Sequence, residues 1–486
     1  MHNLINRRNF VRTLGLGAAV TTLSPRGELW AANVNEEINL GFISCGGRAR
    51  TLMDRFSKVE GVNIGALCDV DESNINIAKG VFPKAKTFTD LRELIADPEI
   101  DAVVIGTCNH WHCLAAIWAM EAGKHVYVEK PLSHSQWEGE QTVAAARVYD
   151  KICQVGTQQR SDPMQAEIKK FLHEEKGLGE IKATRVNRYG FRPSIGKRDT
   201  PLPIPRTVDY DLWVGPAQDQ PIMRNKLQYD WHWDWNTGSG EMGNWGVHVL
   251  DDVRNNIFQD SVTTPKRILG GGGRLLWDDA ADSPNVHFVY FDTGSIPVVI
   301  GLSNLPSQLG GKKPPAIKGP RSGYIAYCEG GRLEGQRGRA IARDRAGNVV
   351  REFRGNSGAV KHQQNFIDAV RANDSSILNA DVQVGHDSTG WCNFANIAYK
   401  LGTKLDRDDA AQIKQSTWTH LLKETDEQLG GIGLSLDDDA IKLSPLMSLN
   451  EEGRFIGDNA EAANKLLKRE YRKGFEVPEF AKAEAS

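Results

Sequence analysis

The sequence predicts an α/β protein in which a doubly wound parallel sheet is followed by a second domain built largely from antiparallel strands. From Ile38 to Gly156, short apolar runs alternate with helical segments, which is the pattern of a parallel sheet covered by helices. A glycine-rich turn follows the first apolar run. From Arg267 to Arg354, short strand-like runs are separated by glycine, aspartate or asparagine turns, which indicates antiparallel strands.

The individual elements follow from hydrophobic patterning. Apolar runs predict strands at residues 38–44, 62–70, 101–107, 125–130 and 151–156. The segments between them predict helices at residues 48–58, 74–79, 89–96, 115–122 and 136–149. The fourth strand ends in Glu129-Lys130-Pro131, and it must stop there because proline cannot donate a hydrogen bond to a sheet. In the second half, we expect a helix at 163–175 and a strand over Ile181–Tyr189.

Length and composition exclude several classes of function. The 486 residues suffice for two or three domains. The formal net charge of −3, with scattered basic residues, gives no footprint for nucleic acid. Beyond the N-terminus, no apolar run approaches the roughly 18 residues of a membrane span, so no membrane partner is expected. The seven cysteines are odd in number and widely spaced, which predicts free thiols rather than disulfides or a zinc site.

Residues 1–35 resemble a twin-arginine export signal or N-terminal arm. Arg7, Arg8 and Phe10 precede a short uncharged stretch from Thr13 to Leu23, which is too short to span a bilayer as a helix. The pattern predicts a periplasmic or otherwise exported protein. The alternative is a disordered basic N-terminus.

The glycine-rich turn has the features of a dinucleotide site. Ser44-Cys45-Gly46-Gly47-Arg48-Ala49 keeps the middle glycine of the G-x-G-x-x-G pattern, has alanine last, and replaces the first glycine with Ser44. Gly46 and Gly47 allow close approach of a pyrophosphate to a helix N-terminus. Asp69 ends the second strand, where a carboxylate suits the ribose hydroxyls of NAD. Arg48 and Arg50 leave NADP open.

Three further stretches carry a resemblance to a known family. They are "IGTCNHWH", "VYVEKPL" and "GSGEMGNWGVHVLDD". Together with the glycine turn, they resemble the glucose-fructose oxidoreductase/inositol dehydrogenase/MocA (Gfo/Idh/MocA) family over residues 38–402. The resemblance implies an N-terminal Rossmann domain at 36–157 and a C-terminal α/β domain with a large open antiparallel sheet at 158–402. It also implies a tightly held nicotinamide cofactor, a sugar or polyol between the domains, and a homo-oligomer, a dimer or tetramer formed through the open sheet.

The resemblance assigns roles in the first domain. Lys130 is expected beside the nicotinamide, where it can hydrogen-bond the hydroxyl that becomes a carbonyl. Glu129 is expected to orient Lys130 or to hold the cofactor ribose, and the Lys130–Pro131 bond can be cis. Asn109 and His112 match the family's Asn-x-x-His along the cofactor, and Gln158 is a further cofactor contact. No metal is expected, because His110 and His112 have no third ligand at a useful spacing.

In the second domain, the family pattern Gly-Gly-Gly-x-x-x-Asp-x-Gly-x-His reads Gly238 to His248, with Asn244 in place of the aspartate. His248 is then the expected base for the substrate hydroxyl. Because an amide orients a histidine without adding charge, Asn244 should leave His248 more often neutral. The alternative is that Asp251, Glu241 or another residue has taken over the acid–base role.

Aromatic residues before this motif predict a carbohydrate pocket. Five of the 12 tryptophans lie between Trp213 and Trp245, and indole faces pack well on pyranose rings. The alternative is a tryptophan-stabilised loop or a subunit interface. The expected substrate contacts are Tyr189, Arg192, Trp231, His232, Trp233 and Trp245. Residues 403–486 lie outside the resemblance and are expected to form a helical, charged extension.

These observations predict a sugar-directed NAD(P)-dependent oxidoreductase in which Lys130 and His248 are central. Because an exported enzyme meets no pool of free NAD, its cofactor must stay bound and be regenerated in place. The second hypothesis is a redox-neutral glycosidase, lyase or epimerase that oxidises its substrate transiently. The third is a noncatalytic sugar-binding protein, which the departures at Ser44 and Asn244 favour and the retained Lys130 and His248 oppose.

Overall fold

A computed structural model describes residues 37–480 of the protein. The predicted export signal at 1–35 lies outside these residues. From Ile38 onward, the first and second domains belong to a single unit.

The first domain is a six-stranded parallel sheet in the order β3-β2-β1-β4-β5-β6. Its strands are β1 (Ile38–Ile43), β2 (Val62–Cys68), β3 (Lys86–Phe88), β4 (Ala102–Ile105), β5 (His125–Val128) and β6 (Cys153–Val155). Its helices are α1 (Gly47–Phe56), α2 (Glu72–Val81), α3 (Leu91–Ala96), α4 (His112–Glu121) and α5 (Gln136–Val148). This confirms the doubly wound sheet, and the predicted ends differ by no more than three residues. The sequence missed β3, a three-residue edge strand too short to show periodicity.

The second domain contains the predicted large sheet. Its strands are β7 (Ile181–Tyr189), β8 (Arg267–Gly273), β9 (Val286–Asp292), β10 (Val298–Ser303), β11 (Ser322–Cys328), β12 (Gly331–Gln336), β13 (Arg339–Asp344) and β14 (Val349–Arg354). Its helices are α6 (Pro163–Lys169), which continues as a π-helical turn (Lys170–Glu174), α7 (Tyr210–Val214), α8 (Val247–Asn256), α9 (Ala359–Ala372) and α10 (Val382–Leu401). The strands follow the order β14-β13-β12-β11-β7-β10-β9-β8, antiparallel except for the parallel pair β7–β10.

The C-terminal extension was predicted to be helical, but it contains both strands and helices. It packs against both domains. Its elements are β15 (Thr403–Lys404), α11 (Arg407–Ala411), α12 (Ser416–Gly430), β16 (Lys442–Leu443), β17 (Met447–Leu449), β18 (Phe455–Ile456) and α13 (Ala460–Lys465). Strands β16 and β17 pair with β8. The prediction of helix failed here because two- and three-residue strands depend on a partner edge rather than on local pattern.

The two faces of the large sheet are covered differently. Alternate residues of β9 and β10 pack inward with α8 and α10, in a cluster that includes Val289 and Ile300. The residues between them face outward and are covered by α12 through Trp418 and Leu421. Part of the sheet that was expected to be open is therefore covered by the chain's own extension. The predicted homo-oligomer remains a prediction.

After α13 the chain returns to the first domain. Phe475 packs edge-on against Trp111, with ring centroids 5.7 Å apart. Arg472 donates to the carbonyl oxygen of Gly215 and pairs with Asp211. This tail therefore holds the segment 211–215 against the first domain.

Two general predictions can be compared with this fold. All seven cysteines lie within residues 37–480 and are free thiols, as predicted. Between residues 37 and 480, no helix is both long enough and apolar enough to cross a bilayer.

Candidate active site

A cavity of about 640 Å³ lies where the parallel strands of the first domain end, opposite a wall supplied by the second domain. This is the edge of a doubly wound sheet at which ligands bind. Its first-domain lining includes Ser44, Gly46, Gly47, Arg48, Asp69, Asn109, His112, Glu129 and Lys130, and its second-domain lining includes Trp213, Gln228, Tyr229, Trp231, His232 and Asn244. Most of the predicted cofactor residues are thus brought together.

The turn after β1 fits the diphosphate of a dinucleotide. Gly46 is the N-cap of α1, and a Cβ added at Gly47 would meet no heavy atom of residues 37–480 within 4 Å. Ala49 packs so closely on Gly106 that a Cβ there would lie 3.2 Å from the alanine Cβ. Ser44, which replaces the first glycine, has a φ of +88°, a left-handed conformation that favours glycine. The turn keeps its dinucleotide geometry at the expense of backbone strain.

Asp69 supports this turn from the end of β2. Its Oδ2 accepts from the backbone N–H of Cys45 at 2.7 Å, and its Oδ1 accepts from the N–H of Asp71 at 2.9 Å. Burial raises the pKa of the Asp69 carboxyl, although these two hydrogen bonds oppose the rise. The carboxylate retains acceptor capacity toward the cavity, where a ribose would lie.

Glu129 connects Arg48 of the glycine turn with Gln158. Its Oε1 accepts from Arg48 Nε at 2.8 Å and from Gln158 Nε2 at 3.0 Å. Burial disfavours its charge, but Arg48 and Lys130 outweigh burial and lower the pKa of Glu129. Gln158, a predicted cofactor contact, donates to Glu129 and does not line the cavity.

Lys130 lies on the first-domain wall and contacts Asn244 of the second domain. Its Nζ donates to the backbone oxygen of Asn244 at 2.7 Å and to Asn244 Oδ1 at 3.3 Å. Burial lowers the pKa of the Lys130 ammonium to about 8, against an opposing contribution from Glu129. The Lys130–Pro131 bond is cis. Because its pKa is about 8, Lys130 can exchange a proton near neutral pH.

Asn109 and His112 are held rigidly along the same wall. Asn109 Oδ1 accepts from Ser239 Oγ at 3.0 Å. The two ring nitrogens of His112 lie 2.7 Å from the Pro131 oxygen and 3.2 Å from the Thr107 oxygen. Burial lowers the pKa of His112, so the neutral ring donates to one of these carbonyls.

Asn244 contacts Lys130 of the first domain. The π-helical turn Met242–Gly246 carries it, and its Nδ2 donates to Glu241 Oε2 at 3.1 Å while its two oxygens accept from Lys130. Asn244 thus orients Lys130. Within residues 37–480, it forms no hydrogen bond with His248.

His248, the expected base, is held by Arg337 and Trp245. Its Nε2 accepts from Arg337 at 3.0 Å, and its ring meets Trp245 edge-on at 5.8 Å between centroids. Burial and the charges of Arg337 and Lys130 hold the pKa of His248 well below its usual value. It is neutral, as predicted, but its acceptor nitrogen is occupied. His248 is not among the described residues that line the cavity, so the geometry favours Lys130 as the proton acceptor.

The tryptophan-rich segment supplies part of the cavity wall. Trp231 and His232 line it and stack on one another with centroids 3.6 Å apart. His232 Nδ1 lies 2.6 Å from the Tyr229 oxygen and donates to it, which leaves Nε2 as an acceptor. Burial lowers the pKa of His232 to about 3, so the ring is neutral.

The sequence analysis missed Tyr229 as a site residue. It lines the cavity with a φ of +69°, and its hydroxyl accepts from Arg192 at 2.8 Å. A bulky residue with positive φ is a strained outlier of the kind found at binding sites. Only the density of aromatic residues around it could have indicated this position.

Two predicted substrate contacts, Tyr189 and Trp233, do not line the cavity. Tyr189 projects from the outer face of β7 and lies beside Thr425 and Leu429 of α12, because successive strand residues point to opposite faces. Its neighbour Arg188 faces the site instead and pairs with Glu241 at 2.7 Å. Trp233 is buried beneath Tyr229, with ring centroids 5.6 Å apart.

The other two predicted substrate contacts flank the cavity. Arg192 bridges Tyr229 and Glu241. Trp245 is half-buried beside the Arg188 guanidinium, whose carbon lies 4.4 Å from the ring centroid. Asp251, the alternative acid–base residue, is engaged by Arg160 at 2.8 Å and by Ser388 at 2.7 Å. No group of three His, Cys, Asp or Glu side chains suited to a metal occurs between residues 37 and 480.

Two family models match this chain. Residues 38–157 match a family model described as an oxidoreductase family with an NAD-binding Rossmann fold. Residues 175–300 match the model of that family's C-terminal α/β domain. The predicted nicotinamide cofactor is thereby confirmed, and the glycine turn, Asp69 and the cavity fit it.

Curated relatives share part of the chain. A glycosyl hydrolase family 109 protein from Shewanella baltica is 32% identical over 180 residues, and an α-N-acetylgalactosaminidase from Shewanella oneidensis is 33% identical over 180 residues. In both cases the match covers 32% of this chain and 39% of the relative's length.

Solved structures share the fold. The WlbA dehydrogenase from Bordetella pertussis, in complex with NADH and UDP-GlcNAcA, has a TM-score of 0.55 and 17% identity, covering 74% of this chain and 95% of that chain. An oxidoreductase from Agrobacterium radiobacter, in complex with NAD+, L-tartaric acid and magnesium, has a TM-score of 0.54 and 16% identity, covering 75% and 95%.

Proposed function

Because the chain belongs to the Gfo/Idh/MocA oxidoreductase family, we propose that it is an NAD(P)-dependent enzyme that oxidises a carbinol carbon of a sugar or sugar derivative while its cofactor stays bound. The proposal rests on the position and the lowered pKa of Lys130. Its amine, with a pKa of about 8, lines the cavity at the strand ends where the nicotinamide would lie.

Lys130 would act on the substrate hydroxyl. As a neutral amine, it takes the hydroxyl proton while the carbon–hydrogen bond breaks and the carbonyl forms. A bound nicotinamide supplies the acceptor for the departing hydride. Asn244 holds Nζ in place through two acceptors, so that the amine lone pair can be directed at the substrate.

The second-domain wall suits a sugar ring. Trp231 and Tyr229 offer aromatic faces to its apolar side, and His232 offers an acceptor nitrogen to a hydroxyl. The choice between NAD and NADP stays open, because Arg48 and Arg50 line the cavity together with Asp69.

A second candidate is redox-neutral cleavage of a glycoside through transient oxidation. Once a ring carbon is a ketone, the neighbouring C–H is acidic, and removal of this proton by a base lets the glycosidic oxygen leave with a proton from an acid. Water would then add to the new carbon–carbon double bond, and return of the hydride from the nicotinamide to the ketone would complete the cycle without net oxidation. This chemistry needs two proton-handling groups, and both Lys130 and His232 line the cavity. The similarity to glycosyl hydrolase family 109 proteins supports this candidate.

We also propose export by the twin-arginine route, on the pattern of residues 1–35. Export of a folded protein is compatible with a cofactor that is inserted beforehand and retained. Fractionation of cells that produce the wild type and an Arg7→Lys/Arg8→Lys variant tests this, and equal distribution of the two would contradict it.

Purified full-length protein tests the main proposal. Denaturation should release NAD(H) or NADP(H) in an amount close to one per chain, and a panel of sugars should change the redox state of the bound nucleotide. Aryl glycosides separate the two candidates, because only cleavage liberates the phenol. Failure to release or to bind any nucleotide would instead favour the noncatalytic alternative.

A further inference from the structure

One guanidinium beside the active site lacks a carboxylate partner. Arg337 lies in the exposed turn between β12 and β13, and it forms no ion pair within 4 Å in the described part of the chain. Its Nη2 donates to His248 Nε2 at 3.0 Å. Its guanidinium carbon lies 5.0 Å from the centroid of the Trp245 ring.

These contacts orient Arg337 without neutralising it. His248 is neutral, because burial and neighbouring cations suppress its protonation, so it contributes an acceptor and no charge. Trp245 contributes its π face. A guanidinium has five N–H donors, and one contact to His248 leaves donors available to a ligand.

The surrounding charges reinforce the excess. Arg188 and Arg192 share the single carboxylate of Glu241, at 2.7 and 3.4 Å. Arg188 also lies over the Trp245 ring, with its guanidinium carbon 4.4 Å from the ring centroid. Arg48, Arg188, Arg192, Arg337 and the Lys130 amine therefore meet three carboxylates on this side of the site, those of Glu129, Glu241 and Asp252, and burial raises the pKa of Asp252 to about 7.

We propose that the sugar substrate carries an anionic group, a carboxylate or a sulfate ester, which binds Arg337 above Trp245. This inference rests on the proposed function, which it deepens by naming the substrate class. A planar guanidinium held from behind matches the oxygen pairs of such anions, and an anion would compensate the positive charge that the described residues leave unpaired.

Matched substrates test the inference. Wild-type protein with its bound nucleotide is given a neutral hexose, the corresponding uronic acid and the 6-sulfated hexose, and the redox change of the nucleotide is recorded. We expect KM for at least one anionic sugar to be about tenfold lower than for the neutral one, with the difference shrinking at high salt. The sulfated and uronic arms identify which anion is preferred.

Substitution of Arg337 gives the second arm. Arg337→Ala should raise KM for the preferred anionic sugar about tenfold and leave KM for the neutral hexose nearly unchanged, while Arg337→Lys, which keeps the positive charge, should restore part of the loss. Arg332→Ala, which removes an arginine of the same hairpin that pairs with Glu334, is the matched control and should change neither value.

Thermal shift of the same proteins by each sugar measures binding without turnover. If no sugar changes the nucleotide, the proposed function fails, and the thermal shifts still decide whether an anion site exists. Equal binding of neutral and anionic sugars by the wild type would overturn the inference. So would loss of the bound nucleotide from Arg337→Ala, because Arg337 would then serve a cofactor phosphate.

Discussion

The two walls of the cavity are built and charged in different ways. The first-domain wall is built at the carboxyl ends of the strands of one parallel sheet, and it contains the ion pair between Glu129 and Arg48. The second-domain wall is assembled from loops, a π-helical turn and a hairpin, and it combines neutral histidines with surplus guanidinium groups. A wall whose polar groups satisfy one another suits a resident cofactor, whereas a wall with unsatisfied donors suits an exchanging ligand.

Lys130 is the proposed proton acceptor of the first wall, so its substitution should have the largest effect on turnover. We expect Lys130→Ala to lower turnover about 10³-fold and to leave the amount of bound nucleotide unchanged. Steady-state rates and nucleotide released on denaturation provide the two measurements. Lys58→Ala, at an exposed lysine in the turn after α1, is the control. A Lys130→Ala protein that keeps more than about a tenth of the wild-type rate would contradict the assigned role.

His232 tests whether the second wall also handles a proton. Asparagine at this position can still donate to the Tyr229 oxygen but lacks the Nε2 acceptor. We expect His232→Asn to lower aryl glycoside cleavage about 10²-fold while oxidation of free sugar falls much less. His420→Asn, on the exposed side of α12, should behave as wild type. Equal losses in both assays would assign His232 to binding rather than to cleavage.

The pH dependence of sugar oxidation tests both walls, because charged residues of both walls influence the pKa of Lys130. Only the neutral amine accepts a proton, so sugar oxidation should rise with pH and level off above about 8. Between pH 7 and pH 9 the rise is about tenfold. A profile that rises only near the ordinary lysine value would show that Lys130 is not desolvated.

Glu129→Gln refines this measurement. The negative charge of Glu129 opposes the lowering of the Lys130 pKa, so its removal should move the midpoint of the profile to lower pH. Glu60→Gln, an exposed residue remote from the strand ends, should leave the midpoint in place.

The smallest expected effect concerns the backbone of the first wall. Ser44→Gly relieves the positive φ and should raise the free energy of unfolding by up to about 1 kcal/mol. Ser44→Ala keeps the unfavourable backbone conformation and removes only the hydroxyl, so it should be less stable than Ser44→Gly. Chemical denaturation of both variants measures this, and the reverse order would mean that the hydroxyl contacts outweigh the strain.

The sequence alone determined the first wall because its information is local. Strand–helix alternation predicted the sheet, and all parallel strands of such a sheet present their carboxyl ends at one edge. Ser44, Asp69, Glu129 and Lys130 each directly follow a strand, so their convergence could be foreseen from their positions in the chain.

Only the tertiary structure decided the second wall. Arg337 reaches His248 across 89 residues, from a hairpin turn without a recognisable motif. Whether Tyr189 or Arg188 faced the site depended on which side of β7 the C-terminal extension covers. The physical reason is that burial and charge compensation arise between segments distant in sequence. Those same contacts lower the pKa of Lys130, occupy His248 and leave Arg337 available, and no local pattern records them.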